Sequence, residues 1–251
     1  MHRFYLPTAQ AQDATLLLTG REAHHACHVL RIRRGGQVVV LDGVGHEFVC
    51  EVRDFDRDKV CLKVSQVQTQ AAPLCRVTLL QALPKGKLIE AIIQKATELG
   101  ASRIVPLLTE RVVVQLDDQD AARKASRLQS VAIEAIKQCG SSWLPQVEAP
   151  QTPEQFLARP EPCELALIAS LQAGSRPARE WFRAFQAEHG RNPHSVAVWI
   201  GPEGDFTPSE TQAIEAHGAR PITLGRLVLR METAAVYCLS IINYELQLPP
   251  G

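Results

Sequence analysis

Two glycine-bearing turns hold the residues of this chain that could do chemistry. The first is WIGPEGDFTPSE, from Trp199 to Glu210. It leaves an apolar, β-branched run (Val196, Val198, Ile200) of strand length and ends in a helix start. Gly201 and Gly204 would let the backbone approach a ligand closely and reach φ > 0, and Glu203 projects a carboxylate at the carboxyl edge of the strand. In open α/β sheets that edge is where ligands bind. An ordinary strand-to-helix connection would need the glycines but not the charge of Glu203. The second turn, LGRLVLRMETA from Leu224 to Ala234, again leaves a short apolar strand and enters a helix, with Arg230 and Glu232 at the junction. Two such turns in one chain indicate a ligand site more strongly than either does alone.

The elements that must position these turns follow from periodicity. Thr207-Pro208-Ser209-Glu210 is a capping box with proline at the first helical position, so a helix starts at Pro208. From Arg76 onward strands (77–83, 104–108, 165–169, 196–200, 222–224) alternate with helices from about Leu88, Asp120, Arg179 and Pro208, and a last one from Thr233. That order predicts a mostly parallel α/β sheet. In the helix from Leu88, the stripe Leu88, Ile92, Ala96 and Leu99 is buried and leaves Lys95 and Glu98 as a surface pair. The helix from Asp120 has the stripe Ala125, Leu128, Ala132, Ala135 and Cys139, stopped by Gly140. The helix from Thr233 buries Ala235, Leu239, Ile242 and Leu246, and Val236 and Ile241 make a second side apolar, which suits a dimer interface as well as a core. From Gln37 to Val67 short apolar runs alternate around turns, the pattern of a small antiparallel β domain, and the polar stretch from Gln66 to Pro73 reads as a linker.

These turns, together with Gln94–Gly100 (QKATELG) and Pro106–Arg111 (PLLTER), resemble the 16S ribosomal RNA uracil-N3 methyltransferases, a family of the SPOUT superfamily of knotted S-adenosylmethionine enzymes. The resemblance runs nearly end to end, from His2-Arg3-Phe4-Tyr5 to the last helix. It implies an α/β fold: a SPOUT-type trefoil-knotted methyltransferase domain over residues 71–251, with the knot at its C-terminus, behind a small N-terminal PUA-like β-barrel that binds RNA over residues 1–70. It further implies that Ile200, Gly201, Glu203, Gly204, Leu224, Gly225, Leu229, Arg230, Glu232 and Thr233 line the S-adenosylmethionine pocket. Methyl transfer needs the nucleophile held in line with the sulfur, so positioning is the main catalytic contribution. Uridine N3 must lose a proton, and Arg230 is the group assigned to stabilise charge developing on O2 and O4. Glu232 is then either the base or the group that orients Arg230, the second role being preferred. The resemblance also implies a homodimer with the site at its interface, acting on 16S rRNA of the small ribosomal subunit.

Bulk charge gives no argument for an RNA partner, since Lys plus Arg and Asp plus Glu number 27 each. The local pattern does: over residues 1–36, Arg3, Arg21, Arg31, Arg33 and Arg34 face only Asp13 and Glu22, with His2, His24, His25 and His28 among them. This reads equally as an RNA surface or as a mildly basic solvated face. In the family reading Arg3, Arg31, Arg33 and Arg34 grip phosphates, and Lys85 and Lys87, in a loop that lacks the P-loop pattern, continue that surface. The seven cysteines are scattered without a Cys-x-x-Cys pair, and His24, His25 and Cys27 match no ligand spacing, so neither a disulfide framework nor a metal is expected. With no apolar segment of membrane-spanning length, the chain reads as cytoplasmic.

The chain departs from the family pattern at Ser141-Ser142-Trp143, where basic residues are usual, at Gly225-Arg226-Leu227, where the positive charge moves by one position, and at Asp205, where a second glycine is common. Trp143 is a base-stacking platform or a packing residue. The alternatives are a methyltransferase acting on a different rRNA base, or a non-catalytic RNA-binding or ribosome-assembly protein that retains the fold. A nicotinamide-dependent oxidoreductase is disfavoured by the lack of Gly-x-Gly-x-x-Gly after the first strand of the α/β region.

Overall fold

The computed structural model describes residues 1–11, 13–56, 58–111, 117–159, 163–172 and 174–247, with Asp118 described by its backbone alone. The chain forms two compact units, the first of residues 1–72 with 133–144, the second of residues 73–132 with those from 145 onward.

In the first unit, β1 (His2–Tyr5), β2 (Thr15–Thr19), β3 (Gln37–Leu41), β4 (His46–Phe55) and β5 (Lys59–Thr69) form one sheet in the order β1-β3-β4-β5-β2. Only the β1–β3 pair is parallel. Register shifts in the β4–β5 pair, between Val49 and Cys50 and between Val52 and Asp54, bend the strand. A helix, α1 (Gly20–His24), continues into a wider turn at His25–Val29. Leu16 and Leu18 alternate with exposed neighbours, as a one-sided strand requires. The uninterrupted run Val38–Leu41 has a different cause. Val38 and Val40 enter the core with Phe4, Leu16 and Leu62, while Val39 and Leu41 pack against Ile136, Tyr5 and Leu144. Near them Lys137, nearly buried, holds Glu22 at 2.8 Å, and Glu22 also accepts the Tyr5 amide at 3.2 Å. Gly140 has φ +81°, and the Arg3 guanidinium donates to the carbonyls of Lys137 and Gln138 at 3.4 Å.

In the second unit, β6 (Arg76–Ala82), β7 (Arg103–Leu107), β8 (Gln146–Val147), β9 (Leu165–Ala169), β10 (Ser195–Ile200) and β11 (Arg220–Ile222) form an all-parallel sheet in the order β11-β9-β10-β6-β7-β8. The helices are α2 (Leu88–Glu98), α3 (Asp118–Cys139), whose last residues belong to the first unit, α4 (Pro153–Leu157), α5 (Ala178–His189), α6 (Pro208–Ala216) and α7 (Met231–Leu246). Strand order reverses between β6 and β10, because β7 and β8 add on one side and β9 and β11 on the other. Nearly all of β10 is buried, which explains its continuous apolar reading. Trp199 on β10 meets Phe156 and Phe206 edge-on. The α7 helix packs on α2, β10 and β6. Its predicted stripe, Ala235, Leu239, Ile242 and Leu246, is buried; Val236 and Ile241 are half-buried, and Tyr237 and Tyr244 are exposed.

Several expectations need correction. Gln66–Thr69 continues β5 instead of forming a linker, because Val67 and Gln68 pair with Phe48 and Glu47 across the sheet. The last strand spans Arg220–Ile222, so Leu224 lies in the following turn. Cys139 is exposed; the buried stripe of α3 turns instead through Ile136 and Lys137. Short elements β8 and α4 escape periodicity, although α4 carries its own capping box, Thr152 with Gln155. Trp143 is a packing residue: its ring lies on Gly45, where an added Cβ would sit 2.6 Å away, and its indole donates to the Ala71 carbonyl at 3.0 Å. Lys95 and Glu98 form the expected exposed pair at 2.9 Å. Among the described residues no helix is long and apolar enough to cross a membrane.

Candidate functional site

At the carboxyl ends of β9, β10 and β11 the second unit opens a cavity of about 760 Å³. Parallel sheets place ligands at this edge, and the volume suits a small organic ligand. Three segments line it: Ala169–Gln172 with Gly174 and Ser175 after β9, Ile200–Glu203 with Asp205 after β10, and Thr223–Glu232 after β11, ending at the start of α7. Leu88, at the head of α2, contributes a further side chain.

The turn after β10 is tight. A Cβ on Gly201 would stand 3.0 Å from the Asp205 carboxylate and 3.2 Å from the Phe206 nitrogen. The positive φ expected at the glycines lies instead on Asp205, at +63°. Aspartate tolerates this region better than most residues because its carboxylate can bond the local backbone. Here it accepts the Phe206 amide at 2.8 Å. The turn then enters α6 through the predicted capping box: Thr207 Oγ1 accepts the Glu210 amide at 3.3 Å and Glu210 Oε2 accepts the Thr207 amide at 2.9 Å. The other Glu210 oxygen accepts the Glu110 amide at 2.9 Å, which fastens the loop after β7 to the same point. From that loop the Arg111 guanidinium donates to the Gly204 carbonyl and, at 3.3 Å, to the Asp205 carbonyl. The turn between β10 and α6 is therefore clamped from behind by Arg111 and at its end by Glu210.

The turn after β11 is more open. Gly225 has φ +111°, a conformation that favours glycine, and an added Cβ would meet nothing within 4 Å. Its amide donates to Thr223 Oγ1 at 3.2 Å. Leu227 and Val228 are each 76 % exposed and Leu171 is 65 % exposed, yet all three line this same cavity. Grouped apolar side chains left open in this way suit a flat apolar ligand surface. Arg230 is the N-cap residue of α7, and Glu232 sits in its first turn, where the helix dipole favours a carboxylate.

Of the residues predicted to hold a cofactor, Ile200, Gly201, Glu203, Leu224, Gly225, Leu229, Arg230 and Glu232 line the cavity, whereas Gly204 and Thr233 do not. Gly204 faces Arg111, and Thr233 is exposed on α7. Pattern reading missed the wall after β9, including Leu171, Gln172 and Ser175, although the strand before it was predicted and the carboxyl-edge rule extends to it. It also missed the clamping roles of Arg111 and Glu210, which depend on contacts about a hundred residues apart in sequence. Among the predicted RNA-binding residues, Arg31 and Arg33 are exposed, Arg34 pairs with Asp54, and Arg3 is occupied by the helix-end carbonyls. Lys85 and Lys87 are exposed just before α2, in the second unit.

The chain matches two family models, an RNA methyltransferase domain over residues 70–243 and an RNA methyltransferase PUA domain over residues 18–65. It is 32 % identical to ribosomal RNA small subunit methyltransferase E of Bacillus subtilis, over 100 % of this chain and 99 % of that protein. Among solved structures it resembles ribosomal RNA small subunit methyltransferase E from Neisseria gonorrhoeae bound to S-adenosyl methionine, with a TM-score of 0.83, 25 % identity and 97 % of both chains covered. A Legionella pneumophila protein in complex with the bound cofactor is similar at a TM-score of 0.85, with 31 % identity and 96 % of both chains covered. With that agreement over nearly its full length, and with a cavity where a parallel sheet places its ligand, the chain belongs to the RNA methyltransferase family.

Proposed function

We propose that this protein methylates N3 of a uridine in 16S rRNA of the small ribosomal subunit, using S-adenosylmethionine held at the carboxyl edge of the parallel sheet. The observation that carries this reading is the cavity itself, where both glycine turns, Arg230 and Glu232 meet an open apolar wall. The residues present suit the cofactor. Leu171, Leu227 and Val228 offer an apolar bed for an adenine, the carboxylates of Glu203 and Glu232 can face its cationic parts, and Gly225 leaves its backbone approachable. When bound, S-adenosylmethionine supplies an electrophilic methyl group.

The remaining tasks belong to the chain. Arg230 presents a fixed positive charge at the cavity wall, where it would stabilise the uracil oxygens as N3 gives up its proton. Glu232 sits two residues on, close enough in sequence to orient that guanidinium, and the clamp from Arg111 and Glu210 keeps the Gly201–Asp205 turn in place. Residues 1–70 would act as the RNA-binding PUA-like domain and residues 71–251 as the methyltransferase domain, with its C-terminal segment threaded as a knot. In that arrangement Arg31 and Arg33 grip phosphates, and a homodimer, formed through the exposed tyrosine face of α7, completes the site.

The test is calorimetric binding of S-adenosylmethionine, followed by methylation of small subunits from a strain lacking this protein, with the modified base identified by mass spectrometry. Cofactor binding with N3-methyluridine formed in 16S rRNA is the expected result. Binding without any methylation would favour the RNA-binding or assembly role, and another modified base would move the substrate assignment.

A further inference from the structure

On the second unit, beside the cavity, two arginines converge on one tryptophan. The guanidinium carbons of Arg176 and Arg220 each lie 5.4 Å from the Trp181 ring centroid, so the two charges are no more than twice that distance apart. The Trp181 indole donates to the Pro221 carbonyl at 3.2 Å, which fixes the ring against β11. The Arg176 backbone runs along the same strand. It bridges to Ile222, its amide donates to the Pro221 carbonyl at 3.3 Å, and its carbonyl accepts the Thr223 amide at 3.0 Å. Ser175 and Thr223 both line the cavity, so this cluster is joined directly to the cavity rim.

The charges in the cluster are unbalanced. Among the described residues neither Arg176 nor Arg220 has a carboxylate within ion-pair distance. Of the acids on the adjoining helices, Glu245 is taken by Arg179 at 2.7 Å, and Glu180 is exposed without an ion pair among the described residues. Arg183 adds a further exposed positive charge on α5. Two exposed guanidiniums gathered at one indole without a counter-ion make a local positive patch, and an anion bound at that patch is favoured. Stacking on an indole also pre-orients a guanidinium and leaves its N–H edge free, the geometry that binds phosphate oxygens in pairs. The indole itself is a poor platform for a base, because it is half-buried, its N–H is committed, and it already carries two guanidiniums. The chemistry selects the nucleic-acid backbone.

We propose that Arg176 and Arg220, held by Trp181, form a phosphate-binding notch that grips the RNA strand beside the target nucleotide. The proposal rests on the RNA-methylation reading and adds to it a contact on the methyltransferase domain itself.

The test compares wild type with the double variant Arg176→Gln/Arg220→Gln and with Arg176→Lys/Arg220→Lys, using unmethylated small subunits as substrate. Removing two phosphate contacts should raise KM for the subunit about tenfold and lower the slope of log affinity against log salt by about 1 to 2, while kcat and calorimetric S-adenosylmethionine affinity stay unchanged. The lysine pair, which keeps charge but loses the stacked fork, should fall between. Unchanged KM and salt slope in a folded, cofactor-binding glutamine double variant would overturn the notch. Should the double variant melt early, the single Arg220→Gln variant decides by the same readouts. A wild-type protein that binds cofactor but methylates neither subunits nor free 16S rRNA overturns the RNA-methylation reading, and the notch with it.

Discussion

Glu210 ties two backbone amides to the start of α6, and its replacement should reveal how firmly the turn after β10 is held. One carboxylate oxygen accepts the Thr207 amide and the other the Glu110 amide, both at 2.9 Å, on a side chain with only 8 % of its residue surface exposed. Glu210→Gln keeps one accepting oxygen and sets an NH2 against the second amide, so one buried donor loses its partner, at about 1–3 kcal/mol. Glu210→Ala removes both acceptors and the capping box, at about 2–5 kcal/mol. Gln155 in the capping box of α4 is the internal control: it bonds the Thr152 amide in the same way at 2.9 Å, but among the described residues no distant loop hangs from it, so Gln155→Ala should cost about 1 kcal/mol. Urea titrations at constant m would measure these differences, and calorimetry would show S-adenosylmethionine affinity falling in the order wild type, Gln, Ala as the Gly201–Asp205 turn loosens. If Glu210→Ala cost no more than Gln155→Ala and left cofactor affinity unchanged, the clamp would have no energetic content.

Three further outcomes can be checked. Gly201→Ala should weaken cofactor binding more than Gly204→Ala, because the first Cβ meets the Phe206 backbone nitrogen at 3.2 Å while the second makes an ordinary 3.5 Å contact with Arg111; isothermal titration gives the order. Replacing Arg31 (by Asn, which tolerates its φ of +50°), Arg33 and Arg34 together should lower the RNA-binding salt slope by about 2 and leave cofactor affinity unchanged, as read by filter binding at several salt concentrations. Burial pushes the Cys238 thiol up to about 12, above its unfolded value near 9. Its contribution to stability is thus fully present below about pH 9 and lost as pH rises toward 12, and at pH 8 a thiol reagent should label exposed Cys139 but reach Cys238 only in urea.

What could be read from the residues divides by the range of the interaction. The capping box at Thr207 is specified within four residues, and it forms as predicted. The strand run Val196–Ile200 announces its burial by composition, and it is central in its sheet. By contrast, the polar segment Gln66–Thr69 becomes strand only because β4 offers it partners, and no local pattern carries that information. The same limit acts inside the site. Glycines at 201 and 204 suggest a positive φ at one of them, but the turn closes by placing that conformation on Asp205, whose own carboxylate then bonds Phe206. A residue that departs from the common glycine thus fits the backbone by supplying a local acceptor. Gly204 is left with its carbonyl turned to Arg111 instead of the cavity. Its place in the motif follows from the clamp, which neither spacing nor residue type displays until Arg111, far back in the chain, is folded against it.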